Sequence, residues 1–222
     1  MAASPRPLSL VLFDLDGTLV DSAPDLAGAA NALRAEHGLE PLPYQQLRPL
    51  VGTGARGMVG AAFGLGPQDI GYEVLRSRFL TLYEQRMLQE TRVFQHIHVV
   101  LDALDAAGLR WGIVTNKAER LARPIVEGLG LSARSAVLIG GDTTAQAKPH
   151  PLPLLEAARR LACDPARAAY VGDDLRDVQA GLAAGMQTLA AAWGYLGLDH
   201  PIETWGAHAV LQTPAEVLAW AL

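Results

Sequence analysis

Asp14 and Asp16 flank a single leucine at the end of the apolar run Leu10-Val11-Leu12-Phe13, and Gly17-Thr18 follows at once. Two carboxylates delivered into one cleft repel each other and need a cation or a shared proton between them. Hard oxygen donors of this kind suit Mg²⁺, which takes one or two carboxylates and leaves room for a substrate phosphate. Three further places stand out. Thr115-Asn116 ends the stretch Trp111-Gly112-Ile113-Val114, and Lys148-Pro149 lies just ahead of a helix start at Pro151. Gly172-Asp173-Asp174 ends Tyr170-Val171, with Asp177 one helical turn beyond. Each alone is ordinary: a turn, a surface lysine, a capped helix. Together they supply what phosphoryl transfer needs. One carboxylate can attack phosphorus and form an acyl phosphate, while a second passes protons. Hydroxyl, backbone N–H and lysine groups can hold phosphoryl oxygens, and carboxylates from another strand can complete a metal site.

These residues meet only if the apolar runs are parallel strands, whose C-terminal ends open on one crevice. Apolar runs predict strands at Leu10–Phe13, Trp111–Thr115, Ala136–Ile139, Ala168–Val171, Thr188–Ala192 and Ala209–Leu211. Helical patterns lie between them, at Val99–Ala107, Ala118–Leu129, Pro151–Leu161 and Asp174–Ala184, and a last helix is capped by Thr213-Pro214. Such alternation belongs to an α/β protein with a doubly wound parallel sheet. The segment from Ala23 to Gln89 breaks the pattern. It reads as a helix to about His37 stopped by Gly38, a short helix to about Leu50, and a Gly-rich turn opening a helix over Met58–Phe63. A long segment, Glu73–Glu90, carries Val74, Leu75, Phe79, Leu82 and Tyr83 at helical spacing. The expected organisation is therefore a core made of residues 1–20 and 93–222, with an all-helical cap of residues 21–92 inserted into it.

Composition narrows the partners. The 222 residues carry a net charge of -5 with no basic block, which argues against nucleic acid. The single Cys163 excludes an intrachain disulfide and suits a reducing compartment. No uncharged stretch is long enough to span a bilayer, and residues 1–7, with two prolines, do not form a leader. A cytoplasmic protein without membrane or nucleic-acid partners is expected, with monomer and homodimer both open.

Asp14-Leu15-Asp16-Gly17-Thr18, Val114-Thr115-Asn116, Lys148-Pro149 and Gly172-Asp173-Asp174-x-x-Asp177, in this order over the whole chain, resemble the haloacid dehalogenase superfamily and its phosphatases. The resemblance implies Asp14 as nucleophile, Asp16 as general acid/base, and Thr115 and Lys148 as phosphate binders. It implies a Mg²⁺ site made by Asp14, the main-chain carbonyl of Asp16 and Asp173, with Asp174 and Asp177 acting through water or orienting the metal's shell. The helical insertion resembles the subgroup containing phosphoglycolate phosphatase and β-phosphoglucomutase. Val51-Gly52-Thr53-Gly54-Ala55-Arg56 and Val114-Thr115-Asn116-Lys117 are similar to substrate-contacting segments of phosphoglycolate phosphatases. Gly54-Ala55-Arg56-Gly57-Met58-Val59, Arg134 to Leu138, Val171 to Asp177 and Trp193-Gly194-Tyr195 look closer to N-acetylmuramic acid 6-phosphate phosphatases of cell-wall recycling. Both substrates carry a carboxylate besides the phosphate, so Arg56 is the expected cationic contact, with Asn116 and Lys117 also at the substrate. A small phosphorylated metabolite bearing a carboxylate or a sugar is the expected partner. Three rivals stay open: a metal-free dehalogenase, a β-phosphoglucomutase-like transfer, and a non-catalytic phosphate sensor. One departure stands out: Phe94-Gln95-His96-Ile97-His98 replaces the Pro-Gly type of turn that relatives place after the cap. His96 and His98 have the spacing of a metal pair but no third ligand, and read as helix-entry residues.

Overall fold

Four apolar residues in a row, without polar alternation, suit a strand covered on both faces, and all four residues of β1 (Leu10–Phe13) are fully buried. The computed structural model describes residues 7–198 and 200–222; the reading of residues 1–6 as lacking a leader lies outside them. After β1 come β2 (Val20–Asp21), α1 (Ala23–Glu36), α2 (Tyr44–Leu47), α3 (Gly54–Phe63) and α4 (Tyr72–Glu84). The chain continues through β3 (Arg92–Val93), α5 (Ile97–Ala106), β4 (Arg110–Val114), α6 (Glu119–Gly128), β5 (Leu138–Ile139) and α7 (Leu152–Arg160). It closes with β6 (Ala168–Gly172), α8 (Leu175–Ala183), β7 (Gln187–Ala191), β8 (Ala209–Leu211) and α9 (Leu218–Ala221). Six strands form one parallel sheet in the order β5-β4-β1-β6-β7-β8. β1 sits between β4 and β6, where the chain turns to build both halves, so its end lies at the switch point of the sheet.

Side chains of β1 alternate between two cores. Val11 and Phe13 pack into the larger cluster with α5, α6 and the helical insertion, while Leu10 and Leu12 pack toward α7 and α8. The fold is thus the expected parallel-sheet core with an inserted helical cap. Among the described residues no helix is long and apolar enough to cross a membrane.

Three local readings change. α4 ends at Glu84 instead of running to Glu90, because buried Asp25 takes over the following turn. Its Oδ2 accepts the backbone N–H groups of Glu90 and Thr91 and the Thr91 hydroxyl, at 3.0, 2.8 and 2.8 Å. α3 begins at Gly54, earlier than Met58, since the glycine turn opens directly into it. A two-residue antiparallel ladder, β2 with β3, joins the two crossings between core and insertion; it is too short to leave a period in sequence. His96 precedes α5 with φ of 69°, and His98 lies in its first turn; both are exposed.

Candidate active site

Asp14 is the first residue beyond β1. Its N–H donates to the Val171 carbonyl at 2.9 Å, tying it to the end of β6, and its Oδ1 accepts the Leu15 N–H at 2.7 Å. Lys148 reaches the same oxygen, 3.0 Å away, from the loop after β5. The Lys148 ammonium also lies 2.7 Å from Asp177 Oδ1 and donates to the Tyr170 hydroxyl at 2.6 Å. Burial opposes its charge, but Asp14 and Asp177 outweigh burial and hold its pKa above the ordinary lysine value. Asn116 fixes the Lys148 backbone. Its side-chain amide donates to the Lys148 carbonyl and accepts the Lys148 N–H, both at 2.9 Å. Thr115 is buried beside it, its hydroxyl accepting the Lys117 N–H at 3.2 Å.

Asp173 follows β6 and accepts hydrogen bonds from the Thr18 hydroxyl at 2.9 Å and the Tyr195 N–H at 2.8 Å. Two glycines leave room for it. Gly17 holds φ of +87°, and a Cβ there would sit 2.1 Å from Asp173 Oδ2; a Cβ on Gly194 would sit 2.1 Å from Asp173 Cβ. Burial, with Asp14 and Asp177 close by, pushes the Asp173 carboxyl well above the usual range. Burial likewise pushes Asp177 up to about 7, against the pull of Lys148. One carboxylate oxygen each from Asp14, Asp173 and Asp177 lies within 4.8 Å of the others. An all-oxygen donor set with its charges crowded in this way fits Mg²⁺.

The remaining candidates divide. The Asp16 side chain stands apart from the acidic cluster, 3.0 and 3.1 Å from Lys117 Nζ and accepting the Ser22 hydroxyl. Lys117 therefore engages Asp16. It also lies under the Tyr83 ring of α4, 4.7 Å from the centroid. Asp174 turns away to cap α8: it accepts the Arg176 N–H at 2.9 Å while Asp177 Oδ2 accepts the Asp174 N–H at 3.1 Å. So Asp177 reaches the cluster itself, and Asp174 pairs with the Arg176 guanidinium at 2.7 Å. Arg56 is exposed on α3 and does not line the cavity above these acids, because the face of α3 that carries it points to solvent.

That cavity, of about 570 Å³, runs from Asp14 and Asp16 to the insertion. α4 lines it with Arg76, Phe79, Leu80 and Tyr83, one face of a helix at i, i+3, i+4 and i+7. The core adds Arg120, paired with Glu84 of α4, and Arg176, which donates to the Gly52 carbonyl. Sequence reasoning missed Ser22, Arg76 and Arg120. For Arg76 a signal existed, an arginine sharing the helical spacing of Phe79 and Tyr83. Ser22 and Arg120 left none beyond their neighbours.

If a divalent cation binds the acidic cluster, stability should depend on pH and on that cation together. Asp177, raised from 3.8 to about 7, stabilises the metal-free fold fully below pH 3.8 and loses that contribution as pH rises through 7. A cation that replaces those protons is worth more where they are gone. Adding Mg²⁺ should therefore raise Tm more at pH 8 than at pH 5.5 in a thermal melt. Equal increments would remove Asp177 and Asp173 from the cation's surroundings.

Comparison with known proteins adds four findings. The sequence profile of haloacid dehalogenase-like hydrolases matches residues 11–191. The chain is 44% identical to an N-acetylmuramic acid 6-phosphate phosphatase of Pseudomonas aeruginosa, over 95% of this chain and 93% of the relative. It is 48% identical to a phosphoglycolate phosphatase of Xanthomonas campestris, over 93% of each. In structure it is similar to a crystal structure from Haemophilus somnus described as a predicted phosphoglycolate phosphatase. That match has a TM-score of 0.87 and 25% identity, over 97% of this chain and 98% of the other.

Proposed function

Because the chain belongs to the haloacid dehalogenase-like hydrolases, we propose that it is a Mg²⁺-dependent phosphomonoesterase working through an aspartyl-phosphate on Asp14. The observation that carries this reading is the convergence of Asp14, Lys148, Asp173 and Asp177 at one strand-end crevice beneath the cavity. Mg²⁺ held by Asp14, Asp173 and Asp177, with the Asp16 carbonyl as a further donor, would offset the charge of the phosphate and of the acids around it. Thr115, Lys148 and the amides following Leu15 hold the phosphoryl oxygens. Asp14 attacks phosphorus while Asp16 gives a proton to the departing alcohol oxygen; Asp16 then takes a proton from the water that cleaves the acyl phosphate. Ser22 and Lys117 orient Asp16 for both steps. The segment 21–92 acts as a cap domain on the core of residues 1–20 and 93–222. It excludes water while the phosphoenzyme forms and opens for release across the β2–β3 crossing.

The substrate reading follows from size and charge. A cavity of about 570 Å³ lies within the ~300–1,000 Å³ that encloses ligands of drug size, far more than a two-carbon acid fills. Arginines line it beside apolar side chains of α4. A sugar-sized phosphate with a carboxylate, of the N-acetylmuramic acid 6-phosphate kind, suits these walls better than 2-phosphoglycolate. The test is a phosphate-release panel over both compounds and plain hexose phosphates, with Mg²⁺ and with EDTA. Steady multiple turnover that EDTA abolishes, fastest on the carboxylate-bearing sugar phosphate, is the expected result. Isomerisation of a sugar phosphate without phosphate release would replace hydrolysis by a mutase reaction, and a single uptake of phosphate without turnover would point to a sensor.

A further inference from the structure

Among the described residues, every cation that lines the cavity except one is held by a partner on another element. Lys148 is held between Asp14 and Asp177 at 3.0 and 2.7 Å, and Lys117 is held by both oxygens of Asp16. Arg176 is locked to Asp174 by two hydrogen bonds, each of 2.7 Å, and donates a third to the Gly52 carbonyl. Arg120 pairs with Glu84 across the boundary between α6 and α4; that pair is also exposed, at 56% and 41%, but it ties the core to the insertion. Arg76 differs. Among the described residues its ion pair is with Glu73 on its own helix, at 3.2 Å, with side chains 43% and 69% exposed. An exposed pair of this kind is worth little and yields readily to a better partner.

Position agrees with availability. Arg76 stands on the face of α4 that carries Phe79, Leu80 and Tyr83 into the cavity. The catalytic acids lie on the core side of the same space, so a substrate whose phosphate sits at Asp14 extends its organic part toward α4. A guanidinium presents a planar fork of donors that matches a carboxylate in a bidentate pair. We propose that Arg76 is the specificity-determining residue of this site, binding the carboxylate of the substrate's leaving group in the place expected of Arg56. The proposal rests on the phosphatase reading above and names the group that selects among its substrates.

A matched pair of substrates isolates the carboxylate. N-acetylmuramic acid 6-phosphate and N-acetylglucosamine 6-phosphate differ by the lactyl ether that carries it. Wild-type protein should prefer the former in kcat/KM. In Arg76→Gln and Arg76→Ala, kcat/KM for the carboxylate-bearing member should fall about 10- to 100-fold, mainly through KM, the loss of one charge-assisted bidentate contact. The same variants should change the other member less than about threefold. Arg76→Lys should recover part of the loss, since it keeps the charge without the fork. Arg56→Ala should leave both substrates unchanged. Equal losses on the two members, or a wild type indifferent to the carboxylate, would overturn the role of Arg76 and leave the phosphatase reading standing. Absence of Mg²⁺-dependent phosphate release by the wild type from any phosphomonoester would instead remove the reading on which it rests.

Discussion

Asp14→Asn should lower steady-state phosphate release by on the order of 10,000-fold or more, while the protein stays folded. The substitution is nearly isosteric and keeps an oxygen for the Leu15 N–H, which Asp14 accepts at 2.7 Å. What it removes is the nucleophile, since an amide oxygen does not form the acyl phosphate. Lys148 keeps Asp177 at 2.7 Å as a partner, so its buried charge is still compensated. Turnover at saturating substrate and Mg²⁺, read beside the thermal melt of the same preparation, checks both halves. A variant retaining a tenth of wild-type turnover would show that Asp14 is not the attacking group.

Lys148→Ala should cost both activity and stability, and for one reason. The ammonium lies between Asp14 and Asp177 with its side chain 2% exposed. Removing one member of a buried ion cluster leaves the others uncompensated, at about 3–5 kcal/mol. Phosphate release should fall roughly 1,000-fold, as expected when a preorganised charge at the phosphoryl group is lost. Urea unfolding of the metal-free protein measures the first effect. The gap between variant and wild type should narrow as pH falls from 8 to 5.5, because protonating Asp177, raised to about 7, relieves it. Mg²⁺ should narrow it as well. A loss under 1 kcal/mol at pH 8 would mean that the lysine does not carry the balance of charge in the crevice.

Much of this site was legible before any fold was known, because strand ends announce themselves. Asp14, Thr115 and Asp173 each follow an apolar run, and a parallel sheet sends such residues to one edge whatever the detail of its helices. Asn116 and Lys148 were legible as candidates but not as partners. Their reciprocal hydrogen bonds link residues 32 positions apart, a distance no local pattern encodes. Trp193-Gly194-Tyr195 carried a resemblance and no mechanism. In three dimensions Gly194 makes room for Asp173, the Tyr195 N–H binds it, and the Tyr195 hydroxyl accepts the N–H groups of Ser22 and Ala23 at 2.9 and 3.1 Å. Arg56 was placed at the substrate in sequence but lies exposed, off the cavity wall, because a position next to a glycine-rich turn does not say which way a helix face points.

By itself the sequence determined the alternation of strand and helix, the insertion after β1, and the identity of the acids and the lysine that share the crevice. These depend on periods of two and of 3.6 residues and on which side chains end each run, all local quantities. Tertiary structure alone decided the pairing. It set Lys148 between Asp14 and Asp177, gave Asp16 to Lys117 and Ser22, and turned Asp174 into a helix cap. It also exchanged Arg56 for Arg76 on the cavity wall. The physical reason is range. Charge pairing and burial act over a few ångströms in space between residues as far apart in the chain as Asp14 and Lys148, and chain order carries no record of which acid ends nearest to which cation.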